Sequence, residues 1–181
     1  RLGGGAPQSH HGTSVLSSLL GRAGTMRIEP RAAFVVEGLG LAGGNCDQAT
    51  QAQVVAALRE VAVAGRARDI LVLSFGSDRF SMATEMSVNA LALMGILVFA
   101  ATGNESRAAL YPPASAAEAL AIGAVQDTGL DDKWPSSNGL ASNVDFHAPG
   151  VSVETASDES DTATRVGNGT SLATPLVAGI A

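Results

Sequence analysis

Short, fully apolar runs alternate along this chain with stretches in which apolar residues return every three or four positions. Residues 32–36 (AAFVV), 70–74 (ILVLS), 96–101 (ILVFAA) and 119–125 (ALAIGAV) are runs of the first kind and read as buried strands. Between them, residues 47–64 place Val54, Leu58, Val61 and Ala62 on one helical face, with Asp47 as the expected N-cap and Gly65 as the stop. Residues 81–94 form a second amphipathic stretch that ends at Gly95, and residues 11–21 (HGTSVLSSLLG) form another helix near the start. Beyond residue 126 the pattern loosens into Gly, Ser, Asn and Asp-rich loops, then tightens over residues 169–181 into a serine-containing turn and an apolar helix. Strands that are apolar throughout and separated by helices predict a doubly wound α/β domain. Its sheet is mostly parallel, with helices on both faces. No internal repeat or linker divides it, so one domain is expected over residues 1–181.

In such a sheet ligands bind outside the carboxyl ends of the strands. That singles out Ser74, Phe75 and Gly76 after one strand, and Ala101, Thr102, Gly103 and Asn104 at the end of another. A third candidate is GTSLATP at residues 169–175, where Gly169 permits close backbone approach and Ser171 falls at a helix N-terminus. Free N–H groups and the helix dipole favour negative charge there. Pro175 is expected near the first turn. A serine so placed becomes a nucleophile if a histidine takes its proton. Each residue also has an ordinary reading: a serine before a helix is most often a cap, and an asparagine after a strand is most often a turn former.

Taken together and in order, HGT (residues 11–13), SFG (74–76), ATGN (101–104), VDFHAPG (144–150) and GTSLATPLVAG (169–179) resemble the successive motifs of subtilisin-like serine proteases, the subtilases. The resemblance runs from about residue 9 to residue 181. It implies a subtilisin-like fold and a serine endopeptidase in which Ser171 is the nucleophile, His11 the general base, and Asn104 an oxyanion donor beside the Ser171 backbone N–H. Ser74, Phe75 and Gly76 would pair with substrate backbone as an added strand, and Ala101, Thr102, Gly103 and Leu110 would shape the specificity pocket. Leu110 stands where the family often has a small residue, so a preference for small or medium apolar side chains is expected. The resemblance also implies a cis bond between Tyr111 and Pro112.

One departure is large. The family has a catalytic Asp upstream of the His, yet no Asp or Glu occurs among residues 1–10. The expectation is a fragment cut at both ends and missing that segment; in subtilisin itself, loss of the Asp alone costs about 3 × 10⁴ in kcat. The alternative is a non-catalytic peptide-binding homologue, a pseudoprotease. Asp47, Asp69, Asp127, Asp131, Asp132 and Asp145 all fit caps, turns, loops or structural roles better than catalysis. Ser14 and Leu176 replace histidines that the family often carries, which predicts packing adjustments. His10 and His147 have no evident partner in the sequence, and surface roles are expected.

Composition narrows the remaining classes. The chain of 181 residues is 46% hydrophobic, 15% charged and 4% aromatic, with 21 glycines, too apolar for intrinsic disorder. A net charge of −6 and the absence of a Lys/Arg cluster argue against nucleic acid. The longest apolar run, residues 90–101, is too short to span a bilayer. The single cysteine, Cys46, allows no internal disulfide and sits in a polar loop with no neighbouring base. Neither G-x-G-x-x-G nor a P-loop follows a strand, which weakens a nucleotide-binding reading; Gly38, Gly40, Gly43 and Gly44 have loop spacing. No cofactor or metal is expected. Subtilases often bind structural calcium, but no Asp cluster here has oxygen-cage spacing. The expected partners are polypeptide substrates, with a propeptide or inhibitor allowed by the resemblance, which also implies secretion.

Overall fold

The strand residues sort themselves by alternation. In β1 (Ile70–Leu73), β2 (Leu97–Ala101) and β3 (Leu120–Val125), Leu71, Leu73, Val98, Ala100 and Ala121 enter one core, whereas Val72, Phe99, Ile122 and Ala124 enter another. Because successive side chains point to opposite faces, the two cores lie on opposite sides of one sheet. The computed structural model describes residues 10–20, 49–126, 132–157, 159–160 and 162–181. The first core is closed by Val54 and Leu58 of α2 (Gln51–Ala64) and by Val88 and Leu91 of α3 (Met82–Leu93). The second is closed by Leu19 of α1 (His10–Leu20) and by Ala173, Leu176, Val177 and Ala178 of α4 (Thr170–Ala178).

The sheet is parallel in the order β1-β2-β3-β4, with β4 at Phe146–Pro149. A separate antiparallel pair, β5 (Val153–Ala156) and β6 (Thr164–Gly167), lies beyond it. This is the doubly wound α/β arrangement that the pattern predicts. The twelve-residue apolar run divides into the end of α3, a turn at Gly95 (φ +87°) and β2. Among the described residues, no helix is long and apolar enough to cross a membrane.

Several local expectations change. The helix expected over residues 47–64 begins at Gln51, because Thr50 caps it: Thr50 Oγ1 accepts from the Gln53 N–H at 3.3 Å and Gln53 Oε1 from the Thr50 N–H at 2.8 Å. Gly65 does end it, donating its N–H to the Val61 carbonyl. The described residues past 126 contain three short strands as well as loops. β4 is set in register by Asp145, whose Oδ2 accepts from the Ala121 N–H at 2.7 Å while its own N–H donates to the Ala121 carbonyl. The cis bond lies between Pro112 and Pro113, one residue later than the resemblance implies. Pro175 sits at the sixth position of α4, inside the helix. The expected strand over residues 32–36, the glycines at 38–44, Cys46, Asp47, Asp127 and Asp131 fall outside the described residues.

Candidate active site

Two strand ends and one helix start meet at the carboxyl edge of the sheet. Gly169 precedes α4 with φ +156° and ψ 152°, a conformation open essentially to glycine alone. Its N–H donates to the Gly150 carbonyl at 2.7 Å. A Cβ on Gly150 would lie 2.6 Å from Ala124 Cβ and 2.9 Å from the Gly169 carbonyl oxygen. The two glycines therefore let the end of β4 and the start of α4 touch, and this places Ser171 in the first turn of the helix.

Pro175 then changes the hydrogen bonding of that turn. It has no N–H to offer the Ser171 carbonyl four residues back. Ser74 Oγ donates to that carbonyl instead, at 2.8 Å, and Ser171 Oγ donates in return to the Ser74 carbonyl at 2.9 Å. This reciprocal pair fastens α4 to the residue that follows β1. Asn104 is fixed from the same helix: its Oδ1 accepts from the Thr170 N–H at 2.9 Å and from Thr170 Oγ1 at 3.0 Å. With the oxygen of the amide held, Nδ2 is the end left to donate outward.

A cavity of about 150 Å³ opens between these groups, lined by Phe75, Gly76, Ala101, Gly103, Asn104, Glu105, Tyr111, Thr170 and Ser171. It gathers six of the residues singled out in the sequence. Four others lie elsewhere. Ser74 is buried in its clasp with Ser171. Thr102 is fully buried, with an Oγ1 that has no hydrogen-bond partner. Leu110 packs against the first core and beside Gly139, so Tyr111 supplies the wall that was expected of Leu110. His11 is exposed in the first turn of α1, a helix that packs on α4, and is not part of the lining.

Glu105, Thr170 and Asn138 are not among the site residues expected from the sequence, and Tyr111 is expected there only to carry a cis bond. Thr170 could have been found as the residue between Gly169 and Ser171, and Glu105 as the neighbour of Asn104. Asn138 sits in a Ser-Ser-Asn-Gly loop that carries no local signal. His147 lies on β4 with its ring edge against Gly123, where a Cβ would come within 2.7 Å of Cδ2 and 2.8 Å of Nε2. Partial desolvation of the ring first, and then the charge of Lys133, hold its pKa below the usual 6.5. Among the described residues no three His, Cys, Asp or Glu side chains converge to hold a metal ion.

The chain matches the model of the subtilase family over residues 5–181. It is 34% identical over 176 residues to M-protease of Shouchella clausii, covering 94% of this chain and 43% of that protein. It is equally similar to Subtilisin Savinase of Lederbergia lenta, 34% over 176 residues, covering 94% of this chain and 61% of that protein. The chain thus spans less than two thirds of either relative. Among solved structures, it is similar to the prenylagaramide maturation protease PagA, with a TM-score of 0.73 and 27% identity over 97% of this chain and 64% of that one.

Proposed function

The chain belongs to the subtilase family, and from that premise we propose that it is a serine endopeptidase domain whose reacting centre is the cavity between Asn104 and Ser171. One observation carries this reading: Thr170 holds Asn104 Oδ1, so the amide donor and the first turn of α4 face the same small cavity as Ser171. Ser171 Oγ would leave the Ser74 carbonyl and attack the substrate carbonyl while His11 takes its proton. The oxyanion would be met by Asn104 Nδ2 and by the Ser171 N–H, which has no acceptor within its own helix. Collapse expels the amine with the proton returned from His11, and water then hydrolyses the acyl-enzyme by the same route. Phe75, Gly76, Ala101, Gly103 and Tyr111 would bound the side chain next to the scissile bond. We propose polypeptide substrates, an extracellular site of action as the resemblance implies, and chemistry that calls on no cofactor.

A second reading has support of its own. The Ser171 hydroxyl donates to the Ser74 carbonyl, a contact that a non-catalytic peptide-binding homologue would keep. A fluorophosphonate probe on the natural protein carrying this sequence separates the two. The expected result is covalent labelling at Ser171, abolished by Ser171→Ala. A folded protein whose Ser171 never reacts, yet which retains peptides, would establish the second reading.

A further inference from the structure

The loop that follows β2 is organised around a side chain from a distant segment. Asn138 is fully buried. Its Oδ1 accepts from the backbone N–H groups of Glu105 and Arg107, both at 2.9 Å. Its Nδ2 donates to the Thr102 carbonyl at 3.2 Å and to Glu105 Oε2 at 2.9 Å. The Asn138 N–H donates to the Gly103 carbonyl at 2.9 Å. Two acceptor sites and two donors are the whole capacity of a carboxamide, so this one is saturated. Every bond it makes goes to residues 102–107.

The same network reaches the candidate oxyanion donor. Glu105 Oε2, held by Asn138, also accepts the Asn104 N–H at 2.7 Å. Asn104 is therefore fixed at two points: by Thr170 through its side chain, and by Glu105 and Asn138 through its backbone. Gly103, at φ +103°, is the residue that admits this arrangement, since a Cβ there would overlap Asn138 Nδ2 and Glu105 Oε2.

We infer that Asn138 is a positioning residue for the candidate site, holding Asn104 at the height from which its amide meets the developing oxyanion. The inference rests on the acyl-transfer reading above. Asn138 never faces the cavity, and its effect passes through Glu105 and the loop backbone. Its replacement by Asp keeps the shape and the acceptor but removes the donor. A second carboxylate then faces Glu105, and the Thr102 carbonyl keeps only the Tyr111 N–H, at 3.2 Å, of its two donors.

The test uses the natural protein, with acylation of Ser171 by a fluorophosphonate and turnover of a peptide substrate as its two readouts. Asn138→Asp is expected to lower kcat and the acylation rate about tenfold, inside the roughly hundredfold that misplacement of a reacting group by about an ångström can cost. KM is expected to stay within about threefold, because Asn138 itself lies outside the cavity lining and Glu105 is its one partner there. The readout that a general structural role would not give is a cycle with Asn104→Ala: once the donor is gone, Asn138→Asp should cost little more. Unchanged rates in folded Asn138→Asp, or a loss that simply adds to that of Asn104→Ala, would overturn the inference. If Asn138→Asp does not fold, Glu105→Ala serves, since Glu105 is exposed. Loss of the Asn104 anchor should lower kcat several-fold, whereas removal of a nearby negative charge alone would raise it, and an unchanged or raised kcat overturns the inference. Wild-type protein that is never acylated at Ser171 overturns the enzyme reading itself, and the inference with it.

Discussion

At the scale of single residues, Pro175 and Ser74 form a pair that neither explains alone. A proline inside a helix strips a carbonyl of its donor, and here the stripped carbonyl belongs to Ser171, which Ser74 Oγ satisfies at 2.8 Å. Ser74→Ala should therefore cost about 1–2 kcal/mol of unfolding free energy by leaving a half-buried carbonyl unpaired, read from denaturant midpoints. Adding Pro175→Ala should recover part of that loss, because a new N–H reaches the same carbonyl; a double variant no more stable than Ser74→Ala would remove the account. Thr102 gives the opposite sign. Its Oγ1 is buried without a partner, so Thr102→Val should raise stability by about 1 kcal/mol and leave substrate KM unchanged. A fall in stability would mean that the hydroxyl is satisfied in solution.

At the scale of elements, β4 is where local sequence and tertiary placement diverge most. Its side chains are mostly exposed, so it has no apolar run to announce it, and Asp145, Gly123 and Gly150 place it instead. Gly150→Ala would push a methyl into Ala124 and the Gly169 carbonyl, and overpacking of that kind costs about 1–3 kcal/mol. A thermal melt that did not move would contradict the close approach of β4 and α4. His147 makes the same strand sensitive to pH. Its pKa is lowered in the folded state by partial desolvation and by Lys133, so between that value and 6.5 the unfolded chain binds more protons, and stability rises with pH across the window. Stability should be full above about pH 6.5, the ordinary histidine value, and should fall as the pH drops below it. His147→Gln should flatten this slope in urea titrations at pH 7.5 and 5.5; an unchanged slope assigns it to other groups.

Core strands and helices were legible in the sequence because burial on both faces leaves uninterrupted apolar runs, as in residues 96–101, and because Ser81 and Gly65 mark helix ends by local chemistry. Ser171 and Asn104 were legible through motif order. Asn138 and Glu105 were not, since their roles come from hydrogen bonds across 31 to 36 positions that no local period records. Leu110 misled for a related reason. Position beside Tyr111 predicts the neighbourhood of the cavity, but not which of two adjacent side chains turns towards it.

At the scale of the molecule, the candidate site joins three parts of the chain that are otherwise held apart by the sheet. Ser74 follows β1, residues 102–104 follow β2, and Gly169 to Ser171 open α4. The hydrogen bonds among them are polar clasps between side chain and backbone: Ser74 with Ser171, and Gly103 and Asn104 with Thr170. A ligand that bonds covalently to Ser171 Oγ while filling the cavity would tie all three together, so it should stabilise the whole fold and not only a loop. A reversible peptide aldehyde present at about a hundred times its Kd should contribute about 2.7 kcal/mol. For a domain of this size that corresponds to a rise in Tm of roughly 5–10 °C. Ser171→Ala should lose most of the shift because no hemiacetal forms, and Asn104→Ala should lose part of it by removing a donor to the oxyanion. Differential scanning calorimetry of the three proteins with and without the aldehyde reads this directly. Equal shifts in wild type and Ser171→Ala would place the aldehyde elsewhere on the surface, and the cavity would then no longer be the centre of the chemistry.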